Sequence, residues 1–237
     1  MRDAVSKPLS ILLFHRANVL TRRLASPVFC ALLGVGVPAP ADIIDRIAVS
    51  VGNSVITASA LDREIRVTAL LNGGTPDFSP AARRATADRL VEQKLIQREM
   101  ELSRYPVPEA SAAEPLFASF RKRYSTDAAF QRALAQAGVT EQDVRERLVW
   151  QLTLLRFIDV RFRPAVQVTD QDIQNYFETK VKPAAEAAHP GQPVSVEDYA
   201  ERIRETLAGQ RADQELDNWL KEALKRTEIV YHEEAFR

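Results

Sequence analysis

Residues that favour β structure are concentrated in two places, at opposite ends of the chain. Ile43-Ile44-Asp45-Arg46-Ile47-Ala48-Val49-Ser50-Val51, a Gly52-Asn53 turn and the short run Val55-Ile56 read as a hairpin, and Ile229-Val230-Tyr231 reads as a lone strand. A hairpin this short is not stable by itself, and the lone strand has no neighbour in sequence with which to pair. The two ends are therefore expected to meet in one small sheet. The long helix from about Val196 to Thr227 would then return the chain across the N-terminal helices.

The intervening sequence reads as mainly helical. Thr57 can cap a helix whose apolar face carries Leu61, Ile65, Thr68 and Ala69, and Asn72-Gly73-Gly74 stops it. Ser79-Pro80 opens a second helix to about Leu102, with Leu90, Val91, Leu95 and Ile96 apolar, and Tyr105-Pro106-Val107-Pro108 ends it. A third is expected over Ala110 to Lys122 with Leu116, Phe117 and Phe120 inward, and a fourth from Thr126 to Ala137, closed by Gly138. Thr140-Glu141-Gln142-Asp143 resembles a capping box and opens a helix through Val144, Leu148, Leu152, Leu155 and Phe157 or Ile158 that stops before Pro164. Val168-Thr169-Asp170-Gln171-Asp172 caps another with Ile173, Tyr176 and Phe177. Lys182 to Pro193 is rich in Ala, Pro and Gly without either hydrophobic period and reads as a linker. Ser195 is expected to cap a long final helix through Ile203, Leu207, Leu216, Leu220 and Leu224.

Residues 1–41 differ in kind. Arg2, Lys7, Arg16, Arg22 and Arg23 face one acid, Asp3, and an uncharged run from Leu24 ends in Ala39-Pro40-Ala41, a small-residue cleavage pattern. This reads as a secretory signal, with the exported chain starting at Asp42. The rival reading is an uncleaved anchor over Leu24 to Ala41, but Pro27, Gly34, Gly36, Pro38 and Pro40 thin its apolar centre. The single cysteine, Cys30, falls inside the signal, so the exported chain would carry neither a disulfide nor a cysteine-rich zinc site.

Charge narrows function. Lys+Arg 32 against Asp+Glu 32 in 237 residues supplies no basic field for a phosphate backbone, so no nucleic-acid partner is expected. Three histidines, His15, His189 and His232, leave little for metal chemistry, and no metal or cofactor is expected. Arg83, Arg84 and Arg89 share their helix with Asp88, Glu92, Glu99 and Glu101, which suits a solvated face of mixed charge. Arg121-Lys122-Arg123, Arg161 and Arg163 sit at helix C-termini, where the macrodipole favours cations. Asp170, Asp172, Glu233 and Glu234 read as capping or solvated carboxylates rather than acid/base pairs.

The phrase Asp45-Arg46-Ile47-Ala48-Val49-Ser50-Val51-Gly52-Asn53-Ser54-Val55-Ile56-Thr57, followed at once by a helix, resembles the opening of SurA-type periplasmic chaperones. Leu90-Val91-Glu92-Gln93-Lys94-Leu95-Ile96, Phe130 to Gly138, Val168 to Ile173 with Tyr176-Phe177, and Asp217 to Leu224 with Ile229 to Tyr231 are similar to later parts of that family in the same order. The resemblance implies a mainly α fold: a helical peptide-binding domain with a small sheet formed by the N-terminal hairpin and the C-terminal strand. The implied divisions are a signal at 1–41, the chaperone domain at 42–181, a linker at 182–194 and a returning helix and strand at 195–237.

One departure bears on activity. Proteins of this family carry parvulin prolyl isomerase domains before the last helix, where this sequence has only the linker. A domain on the order of a hundred residues does not fit there. Peptidyl-prolyl isomerase activity is accordingly not expected, though it stands as the alternative, with a membrane-anchored adaptor as another. The resemblance implies an apolar groove that captures unfolded secreted or outer membrane polypeptides without ATP. Phe120, Tyr124, Trp150 and Phe157 are the residues expected to line it.

Overall fold

The chain divides after Asp42. The unit that follows is described at residues 45–188 and 192–237 in a computed structural model. The signal expected at 1–41, with Cys30 and its cleavage pattern, and His189 in the expected linker lie outside the described residues.

The ends of this unit do meet. Strands β1 (Ile47–Val51) and β2 (Ser54–Thr57) form the hairpin, and β3 (Ile229–Tyr231) pairs antiparallel on the other side of β1, giving the order β2-β1-β3. Val49 faces Tyr231, Ser50 faces Val230 and Val51 faces Ile229. A register irregularity between Ile47 and Val49 breaks the strict alternation of β1, so that consecutive Ala48 and Val49 are both fully buried. Beyond the strands, the Gly52 N–H donates to the Glu228 carbonyl and the His232 N–H to the Ala48 carbonyl, each at 2.9 Å.

Eight α-helices lie between β2 and β3 among the described residues. Side-chain caps start five of them where the sequence places Ser or Thr: Thr57 before α1 (Ala58–Asn72), Ser79 before α2 (Pro80–Ser103), Thr126 before α4 (Asp127–Ala137), Thr140 before α5 (Glu141–Arg161) and Thr169 before α6 (Asp170–Tyr176). Thr140 with Asp143 and Thr169 with Asp172 form complete capping boxes. Gly138 ends α4 at φ 67°, a conformation that would strain most side chains, and a Cβ there would come within 2.7 Å of the Arg66 guanidinium.

Three boundaries differ from expectation. Helix α3 covers only Glu114–Arg121, after a tighter turn at Ala110–Ala113, because the Pro115 ring would collide with the carbonyl four residues back in a continuous α-helix. Leu116 is 40% exposed rather than inward. The expected linker is in part helical: α6 runs through a wide turn at Phe177–Val181 into α7 (Lys182–Ala188). There the Lys182 N–H bonds the Phe177 carbonyl five residues back, and the wider turn accommodates Pro183, while Ala184, Ala185, Ala187 and Ala188 favour helix without any apolar period. Ser195 does not cap the last helix. Its Oγ accepts from the Glu197 N–H in a local turn, and α8 (Ala200–Arg226) begins only after Tyr199.

The core is partitioned. One cluster seats the sheet and Phe236 on Val91 and Leu95 of α2. A second joins Val67 of α1, Phe117, Phe120, Phe130, Val144 and Leu148. A third packs Ile96 and Met100 against Phe157, Phe162, Ala212 and Leu216. A fourth, around Ile173, Phe177 and Ile203, shares no residue with the other three.

Candidate functional site

The four aromatic residues expected to line one groove fall into two separate clusters. Phe120 is 3% exposed, with its ring 6.2 Å from Phe130 and 5.7 Å from the half-buried Tyr124 in edge-on contacts. Phe157 is fully buried, edge-on to Tyr105, Phe162 and Trp219 at 5.9, 5.4 and 5.5 Å. Phe120 and Phe157 are core residues and do not line an open groove, because each ring is enclosed by aromatics from other elements. Tyr124 is half-buried within the Phe120 cluster, and Trp150, half-buried beside the Phe157 cluster, borders open depressions.

Trp150 is half-buried on α5 at the junction of three depressions, and Gln93 of α2 borders all three. The first, about 440 Å³, runs between α2 and α5 along Leu90, Gln93, Trp150, Leu154 and Leu155. The second, about 340 Å³, leads from Trp150 past Val67 to Val55, Ile56 and Thr57 of the edge strand β2. The third, about 750 Å³, passes Val149 and Thr153 toward Met100, Tyr105 and Val107. Together they make a branched trough with Trp150 at its centre, apolar along Leu90, Leu154 and Leu155 and lined by charged side chains toward β2.

Helical geometry explains its lining. Val144, Leu148, Thr153 and Phe157 form the buried stripe of α5, while Trp150 and Leu154, four residues apart, form a second apolar stripe beside it. Leu155, expected inward, is 59% exposed at the rim, and Val107 at the far end is 61% exposed. Leu154, Leu155 and Gln93 were not among the residues expected to line a groove. The signal for Leu154 and Leu155 is the near-continuous apolar run from Leu152 to Ile158, which exceeds what one buried face can absorb, and no sequence signal marks Gln93.

Two ion pairs neutralise four of the charged groups along the trough, which Lys94 and Glu146 also line. Arg147 Nε lies 2.8 Å from Glu64 Oε1, an ionic contact in which the buried Nε–H is not directed at an acceptor. Arg63 reaches Asp143 at 3.5 Å. Burial works to raise the Asp143 carboxyl, but hydrogen bonds from Thr140 and the Arg63 charge outweigh it and hold the group below its ordinary value. Glu92 goes the other way: burial, then the negative charges of Asp88 and Asp217, push it up.

Other ion pairs tie elements of the fold together or brace single helices. Arg83 pairs with Asp62, Arg84 with Asp88 and Glu233, Arg121 with Asp127, Arg161 with Glu99, and Arg163 with Asp159 and Glu205. Arg211 binds Asp172, and this hydrogen bond with those from Thr169 holds its carboxyl far below the usual range. Ser50 Oγ and His232 Nε2 are 3.1 Å apart, tying β1 to the residue after β3. Among the described residues no group of three His, Cys, Asp or Glu side chains could hold a metal ion, and no helix is long and apolar enough to cross a membrane.

The sequence has recognisable relatives. The likeness is to the chaperone SurA. Chaperone SurA of Pseudomonas putida is 25% identical over 149 residues, which is 62% of this chain and 35% of that protein. Chaperone SurA of Pseudomonas fluorescens is 24% identical over 147 residues, 61% of this chain and 34% of that protein. The chain thus spans about a third of the length of these relatives. No family model matches it. The relation is distant, and it agrees with the resemblance that the order of sequence phrases implies.

Proposed function

We propose that the protein is an exported chaperone that holds unfolded polypeptides reversibly in the Trp150 trough, without ATP, a metal or a cofactor. The observation that carries this reading is an apolar stripe of half-buried Trp150 and Leu154 with Leu155, 59% exposed, at its rim, bordering open depressions in a chain related to SurA. A soluble domain gains nothing for its own stability from such a surface; a binding face uses it. Covering a few hundred Å² at about 25 cal/mol per Å² yields several kcal/mol, and ordering losses reduce this to weak, releasable binding. The three branches suit an extended segment whose side chains are not read individually.

In this reading the signal ends at Ala41, the product acts in the periplasm, and its clients are secreted or outer membrane polypeptides. The segment at 182–194 stands where a parvulin domain would be inserted, so prolyl isomerisation is not part of the activity. Lowering a barrier of about 18–20 kcal/mol requires a shaped pocket for the proline ring.

The test measures two activities side by side: suppression of aggregation of an unfolded outer membrane protein, and cis/trans exchange of a Xaa-Pro peptide. Suppression without acceleration is the expected result. Acceleration without suppression would replace the proposal with the isomerase alternative.

A further inference from the structure

We infer that α6, the wide turn at Phe177–Val181, α7 and the first two turns of α8 form an arm that swings on the rest of the unit through a bend of α8 at Gly209. The apolar packing is the first observation. Ile173, Phe177, Ile203 and Leu207 belong to the arm's own cluster, whereas Ala212, Leu216 and Leu220, further along the same helix, belong to the cluster of Phe157 and Phe162. The other crossing between arm and body divides just as sharply, with Val166 packed on the body and Val168 on the arm. Little apolar material holds one part to the other.

Gly209 is the second. It lies between the two apolar stretches of α8, and a Cβ built there would meet nothing within 4 Å. No close approach requires glycine at this position. Glycine is among the poorest residues for a helix interior, and what it supplies here is backbone freedom at the boundary between two cores.

The third is the character of the ties across that boundary. Arg163 on the body side reaches Glu205 on the arm at 2.6 Å, and Arg211 on the body side reaches Asp172 on the arm at 2.8 Å and the Gln167 carbonyl beside it. Glu205 is 69% exposed and Arg211 41%. Ion pairs so accessible to solvent are weak and screened by salt, so they bias the arm without locking it. The boundary also borders a depression of about 830 Å³, where Val166, Gln167 and Arg211 stand beside Phe162 and Trp219.

The experiment places nitroxide labels on the full chain at Lys180→Cys in the arm and Arg156→Cys in the body, with Cys30→Ser, and measures the distance distribution between them by pulsed electron resonance. A broad distribution is expected, altered in about 1 M NaCl, where the screening length falls to about 3 Å. Gly209→Ala should narrow it roughly twofold, and Ala208→Gly should broaden it, by their effect on helix stiffness. A single narrow distance in the unsubstituted background would overturn the inference. So would a distribution that Gly209→Ala leaves unchanged. Neither readout needs a client, so the arm stands or falls apart from the proposed chaperone activity.

Discussion

The guanidinium carbon of Arg84 lies 3.6 Å from the centroid of the Tyr231 ring, while the Tyr231 hydroxyl donates to Asp88 Oδ1 at 2.6 Å. Both partners are on α2, so one side chain of the C-terminal strand is gripped on its face and at its tip. Burial first, then Asp88, pushes the phenol up to about 12. The folded value lies above the ordinary one near 10, so this contribution is complete below pH 10 and is lost as pH rises toward 12. Tyr231→Phe should cost about 0.5–1 kcal/mol at pH 8 through the lost hydrogen bond. The gap between the two melting temperatures should close between pH 10 and 12, as thermal melts across that range would register.

Removing residues 228–237 tests the closure of the sheet. The truncation deletes β3, its register partners Tyr231, Val230 and Ile229, and Phe236, which is 4% exposed in the sheet cluster. It also frees the Ala48 carbonyl and the Gly52 N–H. Differential scanning calorimetry should show a loss of several degrees; an unchanged transition would mean that β1 and β2 are stable without their third strand.

Glu92 bears on the opposite end of the pH range. Its carboxyl is raised by burial and by Asp88 and Asp217, so the folded protein favours the neutral form. A raised value means stability that is present below the unfolded pKa and lost as pH climbs through the folded one. Glu92→Gln should therefore raise the melting temperature at pH 7 by about 1–2 °C and change it little near pH 4. A destabilised variant at pH 7 would show that the carboxylate serves as an anion.

The sequence is most informative where a local signal has a local cause. Thr57, Ser79, Thr126, Thr140, Thr169 and Gly138 act on backbone groups within four residues, and each helix end they imply is present. The closed sheet was legible for another reason: two orphan β segments leave each other as partners. Pro183 misleads, because proline reads as a break while the wide turn before it lets the helix continue. Of the aromatic residues expected to line a groove, Trp150 borders open depressions, whereas Phe120 and Phe157 are core. Phe157 and Trp150 sit seven residues apart on one helix and look equivalent in sequence, yet what separates them is Trp219 of α8, which covers Phe157 and leaves Trp150 open.

That difference yields the sharpest pair of substitutions. Phe157 is fully buried among three aromatic rings, so Phe157→Leu leaves a cavity and should cost about 1–2 kcal/mol, a fall of roughly 2–8 °C for a unit of this size. Capture of an unfolded client below that transition should be unaffected, because the ring never reaches the trough. Leu155 is 59% exposed and supports no core, so Leu155→Ser should leave the melting temperature within about 1 °C while weakening client capture. Trp150→Ala should do both in part, since the ring is half-buried and packs beside Leu154 and Ile158. Melts and aggregation assays on the three variants separate the roles. If Leu155→Ser captured clients as well as the unsubstituted chain and Phe157→Leu did not, the binding surface would lie on the Phe162 and Trp219 side of α8, not at the Trp150 trough.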